Sequence, residues 1–167
     1  MANVYDVAAY ILAKQGEMSS MKLQKLVYYS QAWHLVWDDK PLFPEQIQAW
    51  ANGPVVYDLY VLHRGQFSVS ELPRGNPANL AQPERETIDA VLHAYGHLDG
   101  RKLSHLTHGE DPWAHARRGL PATARSSVEI TPEAMQMYYS TIDTAEEAVP
   151  VEDISWDEWA SDSGAER

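Results

Sequence analysis

The chain has 167 residues, 44% of them apolar and none cysteine, with 13 Lys and Arg against 24 Asp and Glu for a formal net charge of −11. One domain of this length can bury roughly 70% of the surface its unfolded chain exposes, and the lack of cysteine excludes disulfides, thiolate metal sites and a cysteine nucleophile. No apolar stretch approaches the roughly 18 residues of a membrane span, and the opening Met1-Ala2-Asn3-Val4-Tyr5-Asp6 lacks a basic region leading into an apolar run, so the cytoplasm is the expected location.

The acidity is unevenly placed. From Asp143 onward nine acidic residues face one basic residue, Arg167, whereas the body up to Ile142 holds 15 acidic and 12 basic. Such a balance disfavours nucleic acid, where phosphate neutralisation supplies most of the affinity. It suits a basic protein partner, whose encounter the charge would accelerate.

In chain order, Val4, Val7, Ala8, Ile11 and Leu12 recur at helical spacing and predict a first helix over Val4 to Gln15, ended near Gly16. Ser19 or Ser20 can cap a second helix from about Met21 to Trp37. Leu23, Leu26, Val27, Ser30, Trp33, His34 and Trp37 form one stripe of it, and Tyr28, Tyr29, Leu35 and Val36 fill most of the rest. A helix apolar nearly all round is buried, so this one is expected at the centre of the domain. Residues 38–44 read as a turn. Ile47, Ala49 and Trp50 suggest a minor β element, followed by a break at Asn52-Gly53-Pro54, with Pro54 placed to open a helix carrying Val55, Leu59 and Leu62. Ser68 to Pro83 reads as a long surface loop.

Ile88, Val91, Leu92 and Tyr95 restore the helical period from Glu84 to Tyr95. Asp99 can cap a short helix with Leu103 and Leu106; Asp111-Pro112 opens another with Trp113 and Ala116; Thr131-Pro132 opens the last, with Met135, Tyr138, Tyr139 and Ile142. The sum is a mainly α fold: one compact domain of six to seven helices over residues 1–143, then an acidic tail over 144–167. The tail has a disordered composition with an apolar island of Ile154, Trp156 and Trp159.

Several phrases stand together in order: Met21-Lys22-Leu23-Gln24-Lys25-Leu26-Val27-Tyr28-Tyr29, then Gln31-Ala32-Trp33-His34, Pro41-Leu42-Phe43, Ala49-Trp50-Ala51-Asn52-Gly53-Pro54-Val55-Val56, Leu59-Tyr60, Tyr95-Gly96-His97-Leu98, and 103–113 ending Thr107-His108-Gly109-Glu110-Asp111-Pro112-Trp113. In order and spacing the chain resembles the Panacea domain family, the SocA-like antitoxins, over roughly Val4 to Ile142. The resemblance implies a helical domain that binds and neutralises a toxin protein encoded in the same operon, with the toxin's identity varying between members. It also implies a second mode, in which a member acts as an adaptor handing its toxin to a protease. No separate DNA-binding segment like that of fused members is evident, which argues against a repressor role.

Other chemistries are weaker readings. His93 and His97, or His105 and His108 with Glu110, Asp111 and His115 nearby, have spacing a metal could use, but Thr107 and His108 fit better as groups satisfying a helix end. No Gly-x-Ser-x-Gly elbow and no phosphate-binding loop is present, so the expectation is a non-enzyme with no cofactor and no metal. The first two helices do not make a DNA reader, because the second carries Leu23, Leu26, Val27, Tyr28 and Tyr29 where a recognition helix needs polar and basic residues. No contact with nucleic acid or membrane is expected.

The nine Tyr and six Trp are the best hint of a binding surface, since these residues favour interfaces. Trp33, Trp37 and Trp113 read as core. Tyr29, Gln31, Trp50, Asn52, Tyr57 and Tyr60 are the candidates for a partner surface built from helix two and the 50–60 segment. Trp156 and Trp159 could anchor the acidic tail in a basic groove of the toxin, or the tail could stay solvated. Leu23, Gln24, Leu26, Trp33, His34, Gly53, Pro54, Thr107, His108, Pro112 and Trp113 carry the resemblance and read as structural.

Overall fold

Helix α2 (Ser20–Asp38) is the axis around which the other elements assemble. In a computed structural model describing residues 2–144, its thirteen consecutive side chains from Leu23 to Leu35 are all buried. Ser19 caps it, its hydroxyl accepting from the Lys22 N–H at 3.1 Å. A helix buried on every side needs partners on every side. They are α1 (Val4–Gln15), β3 (Gly53–Val56), α4 (Gln82–Tyr95), α5 (Gly100–His108) and α7 (Pro132–Thr144). Leu23, Leu26 and Val27 are wholly enclosed, and each such side chain contributes about 1.5–3 kcal/mol by leaving water. Among the described residues there are seven α-helices, and none is long and apolar enough to cross a membrane.

Helix α1 starts in a capping box: Asn3 Oδ1 accepts from the Asp6 N–H at 2.9 Å, and Asp6 Oδ2 accepts from the Asn3 N–H at 3.2 Å. Asp6 Oδ1 also accepts from the Asn76 N–H at 2.8 Å, tying a distant segment to the helix. That segment corrects the expectation of a surface loop over 68–83. Strand β4 (Ser68–Val69) pairs antiparallel with β1 (Met18–Ser19), a 3-10 turn spans Pro77–Asn79, and Val69 and Leu80 enter the core. The segment folds onto α1 because the Asn76 N–H and the Asn79 side-chain amide find Asp6 and its two apolar residues find the interior.

Strands β2 (Ile47–Trp50) and β3 form an antiparallel hairpin in which Trp50 faces Gly53 across a two-residue turn, and β5 (Glu129–Ile130) pairs with the other edge of β2. The β element near Ile47–Trp50 is therefore present. Pro54 does not open a helix: it lies in edge strand β3, where a missing N–H is tolerated, and α3 (Tyr57–His63) begins three residues later. Asp111 is likewise not the cap of α6 (Asp111–Arg117). The cap position belongs to Glu110, whose carboxylate points elsewhere. Asp99 and Thr131 do cap α5 and α7, accepting from the Lys102 and Ala134 N–H groups at 2.9 and 3.1 Å.

Candidate functional site

The hairpin turn is held by α5 and α6 through three of its own carbonyls. Arg117 Nη1 donates to Ala49 O at 3.0 Å, Trp113 Nε1 donates to Trp50 O at 2.7 Å, and the Ser104 hydroxyl donates to Asn52 O. Arg117 is buried, its guanidinium lies 4.9 Å from the Trp113 ring, and Nη2 also donates to Pro121 O and Ala124 O at 2.8 and 2.6 Å. The His108 ring stacks on Trp113 at 4.0 Å. Burial first, then Lys25, His105 and Arg117, push its pKa down to about 4, so the imidazole is neutral. Ser104, Trp113 and Arg117 thus position the Ala49–Pro54 turn, with His108 stacked behind Trp113 and the Thr107 hydroxyl donating to Ser104 O within α5.

On the other side, Gln24 secures β3. Its Oε1 accepts from the Val56 N–H at 2.9 Å while Nε2 donates to Val56 O at 3.2 Å and to His63 Nε2 at 2.9 Å. Because the Gln24 amide is the donor, His63 carries its proton on Nδ1 and is neutral, and burial also lowers its pKa. Between these two supports lies a pocket of about 230 Å³. Its lining includes Met21, Gln24 and Lys25 from α2, Trp50, Asn52 and Val55 from the hairpin, and Tyr60 and His63 from α3. The Trp50 and Tyr60 rings meet edge to face at 4.9 Å. Tyr57, 37% exposed, adjoins both at 6.4 and 6.1 Å, and Phe67, on the pocket lining, is 79% exposed.

Of the expected partner surface, Trp50, Asn52 and Tyr60 are therefore brought together at the pocket with Tyr57 beside them. Tyr29 and Gln31 are not at the surface, which corrects that half of the expectation. Gln31 is buried, Oε1 accepting from the Leu42 N–H at 2.7 Å and Nε2 donating to Phe43 O at 2.8 Å. The Tyr29 and Tyr139 hydroxyls both donate to Glu110 Oε1, at 2.7 and 2.8 Å. With its proton so committed, Tyr139 accepts from Tyr28 at 3.0 Å. Burial, partly offset by the two tyrosines, raises the Glu110 carboxyl to about 7. Tyr29 and Gln31 of α2 are satisfied inside the molecule by distant partners, a fact local sequence cannot reveal.

Trp33 and Trp113 are core, but Trp37 is 44% exposed, stacked on Trp33 at 5.2 Å, because it lies in the last turn of α2 beyond the packed region. His34 is buried with Nδ1 2.9 Å from the Thr87 hydroxyl. Trp156 and Trp159 lie outside the described residues. No group of three or more His, Asp or Glu placed to hold a metal occurs among the described residues. Lys25, Glu110 and Arg117 are the residues the sequence reading missed as site-builders. The contacts that enclose them include Lys25 with Gly53, Glu110 with Tyr29 and Arg117 with Ala49, which are 28, 81 and 68 positions apart, and a buried charge leaves no local signature.

A family model described as Antitoxin SocA-like, Panacea domain, matches residues 23–114, a span that starts in α2 and takes in the hairpin, α3, α4, α5 and the first half of α6. No curated protein and no solved structure matches the chain.

Proposed function

The chain belongs to the SocA-like antitoxin family by its Panacea domain, and on that premise we propose that it neutralises a cognate toxin protein by direct binding that covers the toxin's active or substrate-binding site. The observation that supports a binding mechanism is the aromatic rim around the pocket: Tyr57 and Phe67 stand exposed beside Trp50 and Tyr60. Aromatic anchors next to a concave site are the usual makers of hot spots. The rim sits on a rigid base, since the hairpin and α3 are tied to α2, α5 and α6 by buried hydrogen bonds, and rigidity lowers the ordering cost of association. Residues 1–143 are the binding unit in this reading. The acidic tail adds a charge-mimicking segment for a toxin that acts on nucleic acid or nucleotides.

The experiment is co-expression with the neighbouring open reading frame of the same operon. The neighbour alone should stop growth, and this protein should restore growth and co-purify with it. Rescue without a stable complex would instead favour delivery of the toxin to a protease. Rescue by a chain ending at Thr144 would remove the tail from the mechanism.

A further inference from the structure

Lys25 is 1% exposed, a placement lysine avoids unless its charge is paired. Among the described residues no carboxylate, carbonyl or hydroxyl bonds its ammonium. Two imidazoles face it, His63 from α3 and His108 from α5; its charge lowers the pKa of both, His63 Nε2 already accepts from Gln24, and His108 Nε2 makes no hydrogen bond among the described residues. The fold nevertheless makes room for it. Gly53 has φ +115°, and a Cβ there would lie 2.6 Å from Lys25 Cε and 2.8 Å from Thr107 Oγ1. The left-handed glycine of the Asn52-Gly53-Pro54 turn is thus needed twice, for its backbone and for the lysine stem.

The second observation is Asn52. It is 8% exposed, lines the same pocket, and its buried Nδ2 has no hydrogen-bond acceptor among the described residues. An unsatisfied amide donor and an unpaired cation thus border one cavity, and each costs stability as it stands. Gln24 and His63 are already committed to each other and to Val56, so they add no free acceptor.

We propose that this pocket is a carboxylate receptor, which takes an aspartate or glutamate side chain presented by the bound toxin, Lys25 supplying the counter-charge and Asn52 Nδ2 a second donor. Two donors match the two oxygens of a monoanion, whereas a phosphate would leave further oxygens and charge unmet. The volume of about 230 Å³ lies below the range of roughly 300–1,000 Å³ typical of small-molecule sites and suits one side chain. Met21, Val55 and Tyr60 on the lining give its methylenes apolar contact. The source of the carboxylate rests on the antitoxin reading; the chemistry of the receptor does not.

The first arm therefore needs no toxin. The full chain carrying lysine labelled with carbon-13 at Cε is titrated with capped glutamate, N-acetyl-glutamate amide, with capped glutamine as the neutral control and acetate as the free-carboxylate control. Capped glutamate should move the Lys25 signal saturably and raise its titration midpoint by about one pH unit, a tenfold preference for the charged lysine. Capped glutamine should do neither. Lys25→Met, which keeps the stem and removes a buried charge, should abolish the heat of capped-glutamate binding that the wild-type chain shows by titration calorimetry, with the fold intact by circular dichroism. Asn52→Asp should also abolish it, by placing a negative charge in the receptor. A Lys25 signal that does not saturate, or a response equal for glutamate and glutamine, overturns the proposal. Acetate binding as tightly as capped glutamate overturns the side-chain assignment in favour of a free small carboxylate. In the second arm, Lys25→Met should weaken toxin binding roughly thirtyfold or more. Undiminished affinity would sink the docking role and leave the antitoxin reading standing, whereas a wild-type chain that binds no toxin would sink the antitoxin reading and leave the first arm untouched.

Discussion

Gln24 closes both backbone groups of Val56, accepting from its N–H at 2.9 Å and donating to its carbonyl at 3.2 Å, as a neighbouring strand would. β3 is an edge strand, and the side chain of a helix residue completes the edge that no strand covers. The same amide fixes the His63 tautomer, so one residue orients α2, β3 and α3 together.

Gln24→Leu should therefore destabilise the protein by about 1–3 kcal/mol, the cost of leaving buried backbone groups unpaired. Chemical denaturation reads the loss directly. Gln24→Glu should cost more, since a carboxylate can accept from Val56 but repels its carbonyl and introduces a buried charge. Equal stability of the leucine variant and wild type would mean that water completes the strand edge.

Toxin neutralisation and folding should separate cleanly between exposed and buried aromatic residues. Tyr57→Asp and Phe67→Asp change exposed rings, so circular dichroism and melting should stay near wild type while co-purification with the toxin falls. Tyr29→Asp should unfold the domain, because it sets a second carboxylate beside Glu110 in the core, at a cost of about 3–5 kcal/mol. Tyr29→Phe loses one hydrogen bond and should cost about 1 kcal/mol. Full neutralisation by the Tyr57 and Phe67 variants would move the interface elsewhere.

The contrast shows which parts of the fold were legible beforehand. The central position of α2 follows from an apolar run too continuous to face water, and Ser19, Asp99 and Thr131 cap helices because capping is local chemistry. Pro54 misled because a Gly-Pro pair suits a helix start or an edge strand equally, and the choice was made by Gln24 and by β5, which pairs with β2 from about 80 residues away. Tyr29 and Gln31 read as surface since their polar atoms find partners only in three dimensions, at Glu110 and at the Leu42–Phe43 backbone. Trp50, Asn52, Tyr57 and Tyr60 were found together because the hairpin and α3 are adjacent in sequence. Lys25 was invisible as a site residue because its burial is created by the space at Gly53.

Arg117 should resist conservative replacement. Its planar fork donates to Ala49, Pro121 and Ala124 carbonyls at once, a geometry the single ammonium of lysine cannot match. Arg117→Lys is expected to cost about 2–3 kcal/mol, with the loss concentrated in the segment between α6 and β5. Hydrogen exchange should show faster amides at Leu120 and Ala124 in the variant, both of which donate to nearby carbonyls in the native fold. Uniform acceleration across all helices would instead mean that the whole domain opens as one unit.

The pH dependence of stability should separate two buried groups that pull in opposite directions. Unfolded Glu110 loses its proton near 4.5, whereas the folded carboxyl, raised by burial, holds it to about 7. The folded state binds more protons in that window, so this group's contribution is full below pH 4.5 and is lost as pH rises through 7. Lys25 runs the other way. Unfolded it keeps its proton to 10.5, folded it releases it at about 7, so its contribution grows between pH 7 and 10.5 and is absent below. His108, lowered to about 4 from 6.5, adds stability as pH rises from 4 to 6.5 and masks much of the Glu110 slope in the wild type. Melting curves should expose the separate terms. Glu110→Gln, which still accepts from Tyr29 and Tyr139, should match wild type near pH 4.5 and exceed it by on the order of 2–3 kcal/mol at pH 8. Lys25→Met should gain most below pH 7, where the wild-type ammonium is charged and unpaired, and the gain should shrink toward pH 10. If the glutamine variant melts below wild type at pH 8, Glu110 is held as a carboxylate that the tyrosines stabilise more than burial opposes.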